Sequence, residues 1–242
     1  MTVSIVIPAF NEERLLPRTL AAVRDALPAF TDRGWNHEVV VCDNNSSDRT
    51  PDLARASGAR VVFEPVNQIG RARNAGAAAA CGDWLLFLDA DSIPTRALFE
   101  DAANAIASGD VLFAGAVVRL DENLPPIESV LVGCWNLASR LFRWMAGSFI
   151  LVEAAAFREV GGFHPDLYAA EELDLSRRLK ALARRRRKRT IILTRHPLVS
   201  SARRLKLYPR RYLLRFFARG LLRPLSTPRD REACAMWYDG RR

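Results

Sequence analysis

The residues best placed to do chemistry are Asp89 and Asp91, which flank Ala90 at the end of the apolar run Trp84-Leu85-Leu86-Phe87-Leu88. Such a nearly continuous apolar run suits a strand buried on both faces. Two carboxylates one residue apart at a strand-loop junction can turn toward the same divalent cation, and magnesium or manganese suits oxygen ligands of this kind. A cation held there can bridge a diphosphate and stabilise the negative charge that builds on a leaving group. The bare tripeptide is common, and solvated turn carboxylates are its plain alternative. The position directly after a buried strand favours the metal.

The elements that must position this pair repeat a simple unit. Val3 to Pro8 is a short β-branched run followed by Asn11 and then by Leu15, Leu16, Leu20, Val23 and Leu27 at helical spacing. Glu38 to Cys42 ends at Asp43 and leads into a helix near Thr50-Pro51, with proline in its first turn. A third strand is expected at Arg60–Phe63 and an alanine-rich helix over 70–80. Strands alternating with helices predict an α/β fold, a mostly parallel sheet flanked by helices. Ligands of such sheets bind beyond the carboxyl ends of the strands, where Pro8 to Glu12, Asp43 and Asp89 to Asp91 all fall. Further on, the sequence predicts strands over 111–120, 148–152 and 190–193, and helices over 127–145 and 171–183.

Five motifs then occur in a set order: Pro8-Ala9-Phe10-Asn11-Glu12, Asp43-Asn44-Asn45-Ser46-Ser47-Asp48, Gly70-Arg71-Ala72-Arg73-Asn74-Ala75-Gly76, Asp89-Ala90-Asp91 and Gly161-Gly162-Phe163. In this order they resemble the family 2 glycosyltransferases of the GT-A fold. The likeness covers about residues 1 to 200, as a Rossmann-like nucleotide-binding half (about 1–118) and an acceptor half (about 119–200). Residues 201–242 form a basic C-terminal helical appendage outside it.

The resemblance implies a transferase that moves a sugar from a UDP- or GDP-linked donor, with Mn2+ or Mg2+, to an unidentified acceptor. Pro8, Phe10, Glu12 and Asp43 are implied as contacts to base and ribose, although Pro8 and Asp43 also simply end strands. The family usually has a second aspartate after Asp43; here Asn44 takes that place, and an amide donates as well as accepts. Arg71, Arg73 and Asn74 are implied at the nucleotide, where a helix N-terminus favours anions. Asp89 and Ala90 meet the donor, and Asp91, with Asp89, holds the metal. His196 is offered as a further metal ligand, with a structural role as the alternative. Ser200, Ser201, Arg203 and Arg204 close over the phosphates in that second case.

Inverting transfer needs a base for the acceptor hydroxyl, and the family pattern sets Glu172 at the position of its usual catalytic aspartate. Glu171 stands beside it on the acceptor side, with Asp174 as its supporting partner or as a partner of Arg177 and Arg178. Acidic residues at a helix start are also favoured by the dipole alone. Trp135, with Trp144, Phe142 and Gly147, lies where the family forms its acceptor site, and aromatic faces pack on sugar rings, lipid or core.

Composition narrows the setting. Cys42, Cys81, Cys134 and Cys234 form no C-x-x-C pair, which suggests neither a zinc site nor a disulfide framework. No secretory signal is evident, and Arg140 and Arg143 interrupt the longest apolar stretch, so a cytoplasmic protein is expected. The formal net charge of +9 is concentrated between Arg177 and Arg223. Over Tyr208 to Arg223, apolar and arginine residues alternate near helical spacing, which suits a helix lying on the cytoplasmic face of an anionic membrane or packed on the domain. A lipid-linked acceptor fits the first arrangement, a small molecule either. The competing function is a decayed relative that binds membrane or a polyanion through this basic region. A nucleic-acid partner, a nucleotidyltransferase and a dinucleotide oxidoreductase are disfavoured, the last two because the first strand lacks their glycine-rich loops.

Overall fold

The structure, a computed structural model, describes residues 1–122, 126–203, 207 and 226–238, with the backbone alone for 126–128. Arg204 and the helix expected over Tyr208 to Arg223 lie outside the described residues.

The first half follows the expected alternation. Strand β1 (Thr2–Ala9) leads into α1 (Leu16–Ala26) and the short α2 (Pro28–Thr31). Then come β2 (Asn36–Asp43), α3 (Thr50–Ala56), β3 (Arg60–Phe63), α4 (Ile69–Ala79) and β4 (Trp84–Leu88). Helices α1, α2 and α3 each carry proline in the first turn, where its missing N–H leaves nothing unsatisfied.

The short α2 has no counterpart in the sequence reading, nor do the two elements that follow β4, β5 (Ser92–Ile93) and α5 (Arg96–Ala107), nor a later short helix over 154–159. Thr95 caps α5, its hydroxyl accepting from the Leu98 N–H at 3.2 Å. The chain continues with β6 (Val111–Leu120), α6 (Pro126–Phe142), β7 (Phe149–Glu153), α7 (Ala154–Glu159), α8 (Glu171–Arg185) and β8 (Arg189–Ser200). Two 3-10 turns, Thr227–Arg229 and Ala235–Trp237, end the described chain.

The eight strands form one sheet in the order β3-β2-β1-β4-β7-β6-β8-β5. β3, β2, β1 and β4 are parallel, as the strand-helix alternation requires. β7 enters antiparallel between β4 and β6, and β5 pairs antiparallel with β8, so the whole sheet is mixed. The last strand was expected to stop at Leu193 but runs on to Ser200 beside β6. Its register jumps from Leu193 opposite Ala116 to Leu198 opposite Val118, leaving extra residues to bulge around Pro197, which has no N–H for the ladder.

Side chains alternate across the sheet. Ile5, Ile7 and Leu86 pack beneath α1, α2 and α5, whereas Val6, Leu85 and Phe87 pack beneath α4, α7 and α8. All five residues of β4 are buried, and this doubly covered strand delivers Asp89 and Asp91 to the crevice.

Candidate active site

Ala9 and Asp43 are in register, so β1 and β2 end level and their following loops open on the same edge. The turn after β4 is fixed from behind: Thr19 of α1 donates to the Ala90 carbonyl at 2.8 Å, and the Ser92 N–H donates to the Asp89 carbonyl at 3.1 Å. Opposite, Gly161 and Gly162 turn the chain toward α8 in left-handed conformation, with φ of 80° and 67°. A side chain at Gly162 would also press on Asn74 Oδ1, 2.6 Å from its Cβ position. Ala170, with φ of 57°, makes the last left-handed step before Glu171. Between these walls lies a cavity of about 290 Å3. Pro8, Phe10 and Glu12 line one side, Asp89, Ala90 and Asp91 a second, and Gly147, Glu171 and Glu172 a third.

One buried cation joins two of the walls. Arg73, only 3% exposed, donates Nη1 to Glu171 Oε1 at 2.8 Å and Nη2 to Asp89 Oδ1 at 2.9 Å. Nη2 also donates to the Gly147 carbonyl at 2.9 Å, and the guanidinium stacks 5.2 Å from the centre of the Phe163 ring. Removing one partner of such a buried pair costs about 3–5 kcal/mol, because the other charge stays buried without compensation.

The two neighbouring glutamates therefore differ. Glu171 is neutralised by Arg73. Burial, followed by the charge of Glu171, pushes the Glu172 carboxyl up from its ordinary 4.5 to about 8. A carboxyl that gains and loses its proton near neutral pH, at a cavity wall, has the property a general base needs. Asp174 bonds Arg177 and Arg178 at 3.1 and 2.7 Å, so the expected Glu171–Asp174 pair is replaced by the alternative ion pairs.

At the opposite wall Arg203, which follows β8, donates to Glu12 Oε1 at 2.7 Å and lies 3.9 Å from Asp91 Oδ2. Ser200 also lines the cavity, so this segment does reach the site. Among the described residues no three His, Cys, Asp or Glu side chains gather as a closed metal cage. Asp91 and Asp89 at one wall are carboxylate oxygens of the kind that magnesium or manganese takes, and Arg73 already bonds one oxygen of Asp89.

Several expected contacts have other work. Asn44 lines the cavity, but its amide holds the next loop: Nδ2 donates to the Glu64 and Val66 carbonyls at 3.2 and 2.6 Å, and Oδ1 accepts from the Gln68 N–H at 2.8 Å. Asp43, buried behind it, accepts from the Ser46 N–H at 3.1 Å. Asn74 bonds both ways to the Phe163 backbone, at 2.8 and 2.9 Å, which secures the Gly-Gly-Phe turn, and it lies outside the cavity lining. Arg71 points outward beside Glu64 at 3.6 Å and lies outside the cavity lining.

His196 is likewise displaced from its expected metal role. It sits in the bulged part of β8 and its Nδ1 is 2.9 Å from Asp101 of α5, away from the cavity. Trp135 is not at the cavity either: α6 packs on β6 and β8, and Gly147 and Ser148, beyond its end, reach the wall.

The sequence reading missed Tyr168 and Trp237 at the cavity. Tyr238 donates to the Tyr168 carbonyl at 2.8 Å and the two rings meet edge to face, which brings Trp237 to the wall from the far end of the chain. Nothing local signals this. For Arg73 a signal existed: α4 contains no acidic residue, so a buried arginine there needed a distant carboxylate.

Comparison with known proteins places this geometry. The model of the glycosyl transferase family 2 matches residues 4–147. Validoxylamine A glucosyltransferase of Streptomyces hygroscopicus subsp. jinggangensis is 30% identical over 219 residues, which cover 74% of this chain and 51% of that protein. The mannosyltransferase PcManGT from Pyrobaculum calidifontis, solved with GDP-Man and Mn2+, superposes with a TM-score of 0.65 at 20% identity, over 88% of this chain and 59% of its own. Glucosyl-3-phosphoglycerate synthase from Mycobacterium tuberculosis, solved with Mn2+, UDP and glucosyl-3-phosphoglycerate, gives 0.61 at 21% identity, over 94% and 80%. These likenesses show the GT-A fold. The chain spans between about a fifth and about a half of the length of the curated relatives it matches. Because the family match runs over more than half of the sequence, from β1 to the cavity wall at Gly147, the chain belongs to glycosyl transferase family 2.

Proposed function

We propose that this chain transfers a hexosyl group from a UDP- or GDP-linked donor to a hydroxyl acceptor, with inversion and with Mn2+ or Mg2+. The observation that carries the reading is a cavity lined by the strand-end carboxylates Asp89 and Asp91 and the helix-start carboxylates Glu171 and Glu172, with Arg73 joining Asp89 to Glu171. In this reading Pro8, Phe10 and Glu12 form the base and ribose wall, with Asp43 behind them. Asp91, assisted by Asp89, holds the metal, which when bound supplies positive charge to the departing diphosphate. Arg203 stands beside that position and contributes a second positive charge. Glu172 removes the acceptor proton, and Arg73 holds Glu171 in a buried ion pair beside it. A single displacement with one base inverts the anomeric centre. The Mn2+ and nucleotide sugar bound to PcManGT support the metal and donor class. The acceptor is a lipid-linked or small hydroxyl compound. The polyanion-binding alternative gains nothing from a site whose carboxylates all line one cavity.

Calorimetric titration with UDP- and GDP-sugars, with Mn2+ and then with chelator, tests this. One nucleotide class binds only with metal, and Asp91→Asn abolishes it. Glu172→Gln keeps donor binding but loses slow donor hydrolysis, in which water takes the acceptor's place. Full hydrolysis by that variant removes Glu172 as base, and absence of binding by every donor removes the whole reading.

A further inference from the structure

Helix α6 is anchored to the domain by Asn136 and Ser139, with Val132 and Trp135 half-buried beside them, and it leaves a second, apolar stripe toward solvent. On its inner side Asn136 bonds the Val118 backbone twice, at 3.0 and 2.8 Å, and the fully buried Ser139 donates to the Trp144 carbonyl at 2.6 Å. On its outer side Val130, Cys134, Leu137 and Leu141 follow one another at four, three and four residues, which is one stripe of a helix. Val130 is 62% exposed, Leu137 54% and Leu141 69%, and Cys134 is exposed as well. Leu131 at 56% and Phe142 at 54% widen the stripe. A surface helix normally turns its apolar stripe to the core, and a contiguous apolar patch left outside marks a contact with something apolar.

The surroundings say which. From Ser129 to Arg143 the sequence contains no acidic residue, whereas Arg140 and Arg143 are exposed. Lys180 of α8 donates its ammonium to the Phe142 carbonyl at 2.9 Å, at the end of the helix. Arg143 and Arg184 lie near enough to depress the Lys180 pKa, after burial, so three cations cluster there. No described helix is long and apolar enough to cross a membrane. An apolar stripe flanked by cations instead suits a helix lying in the headgroup region, with arginine and lysine at the phosphates. A second copy of the chain is the weaker fit, since six side chains on one helix fall short of the roughly 800 Å2 per partner that stable dimers bury.

We propose that the outward stripe of α6, Val130, Cys134, Leu137 and Leu141, together with Arg140, Arg143 and Lys180, docks on an anionic lipid bilayer. This surface is independent of the transfer reaction. It leads through Trp144 to Gly147 at the cavity wall, so a docked bilayer lies a few residues from the site.

The test is sedimentation of the full chain with vesicles of phosphatidylcholine alone and of phosphatidylcholine mixed equally with phosphatidylglycerol. The chain is expected to sediment with the mixed vesicles at least about tenfold more tightly. Leu137→Ser with Leu141→Ser, and separately Arg140→Gln with Arg143→Gln, should each reverse that gain. As a local readout, a polarity-sensitive dye on Cys134, in a chain carrying Cys81→Ser, should shift to the blue when mixed vesicles are added. Equal sedimentation of wild type and both variants, or an unmoved dye, overturns the proposal and assigns any lipid binding to another surface. A dimer in light scattering that the Leu137→Ser, Leu141→Ser variant splits also overturns it, in favour of a second copy.

Discussion

On the β1–β2 side of the cavity the loops are held by many bonds from polar side chains to backbone, and on the α8 side one buried guanidinium joins two carboxylates. The loops after β1 and β2 are stitched by many separate bonds: Asn11 Oδ1 accepts from the Ser47 N–H at 2.8 Å, Thr50 accepts from the Glu12 N–H at 2.7 Å, and Asn44 spans the loop to Gln68. The wall at α8 centres on Arg73, which touches Glu171, Asp89 and the Gly147 carbonyl at once. The first wall is a distributed scaffold of many separate bonds. The second is a charge hub, in which one substitution changes geometry and proton affinity together.

The sharpest way to break this comparison is Arg73→Met. The apolar substitute fills much of the same space but leaves Asp89 and Glu171 facing each other with no cation, so stability should fall by about 3–5 kcal/mol in urea unfolding. Donor binding and turnover should be lost with it. Adding Glu171→Gln should recover part of the stability by removing one of the two carboxylates. If Arg73→Met instead costs no more than a loop substitution, the hub is not one.

The pH dependence sharpens the same contrast, because only the hub wall holds a carboxyl displaced to about 8. A base works when deprotonated, so kcat/KM should rise roughly tenfold per pH unit below 8 and level off above it. Stability runs the other way. With its folded value above its ordinary 4.5, Glu172 keeps a proton that the unfolded chain releases, so its stabilising contribution is present below about 4.5 and is lost as pH rises to about 8. Glu172→Gln should flatten both profiles, and an activity inflection near 4.5 would contradict the assignment.

The contrast between the walls is also a contrast in what a sequence can reveal. Strand ends were legible because apolar runs terminated by Pro8, Asp43 and Asp89 carry their own period and punctuation. That located the crevice and the pair Asp89 and Asp91. α5 was not read although Leu98, Phe99, Ala102 and Ile106 fall at helical spacing behind the capping Thr95, a signal as clear as that of the alanine-rich α4. Motif membership did not separate contact from scaffold: Asn44 and Asn74 stand in the right motifs, yet both spend their amides on backbone. Trp237 was invisible because its place depends on Tyr238 meeting Tyr168 across 70 residues of sequence.

Asn44→Ala probes the scaffold wall. It leaves the Gln68 N–H and two carbonyls without their partner, a loss of about 1–3 kcal/mol in stability. If Asn44 is scaffold, the ratio of UDP- to GDP-donor affinity, measured well below the melting temperature, stays as in the wild type. A reversed ratio would return the amide to the base.

The smallest expected effect separates a metal ligand from a strand-edge ion pair. His196 is 36% exposed and pairs with Asp101, which is 15% exposed, and neither lines the cavity. A partly exposed pair of this kind is worth about 0–1 kcal/mol. His196→Ala should therefore lower the urea midpoint barely measurably and leave the Mn2+ concentration for half-maximal donor binding unchanged. Asp91→Asn, by contrast, should move that concentration by orders of magnitude. A large rise on His196→Ala would mean that β8 rearranges to bring the imidazole to the cation, and the bulge around Pro197, where the ladder is already broken, is where such a movement would begin.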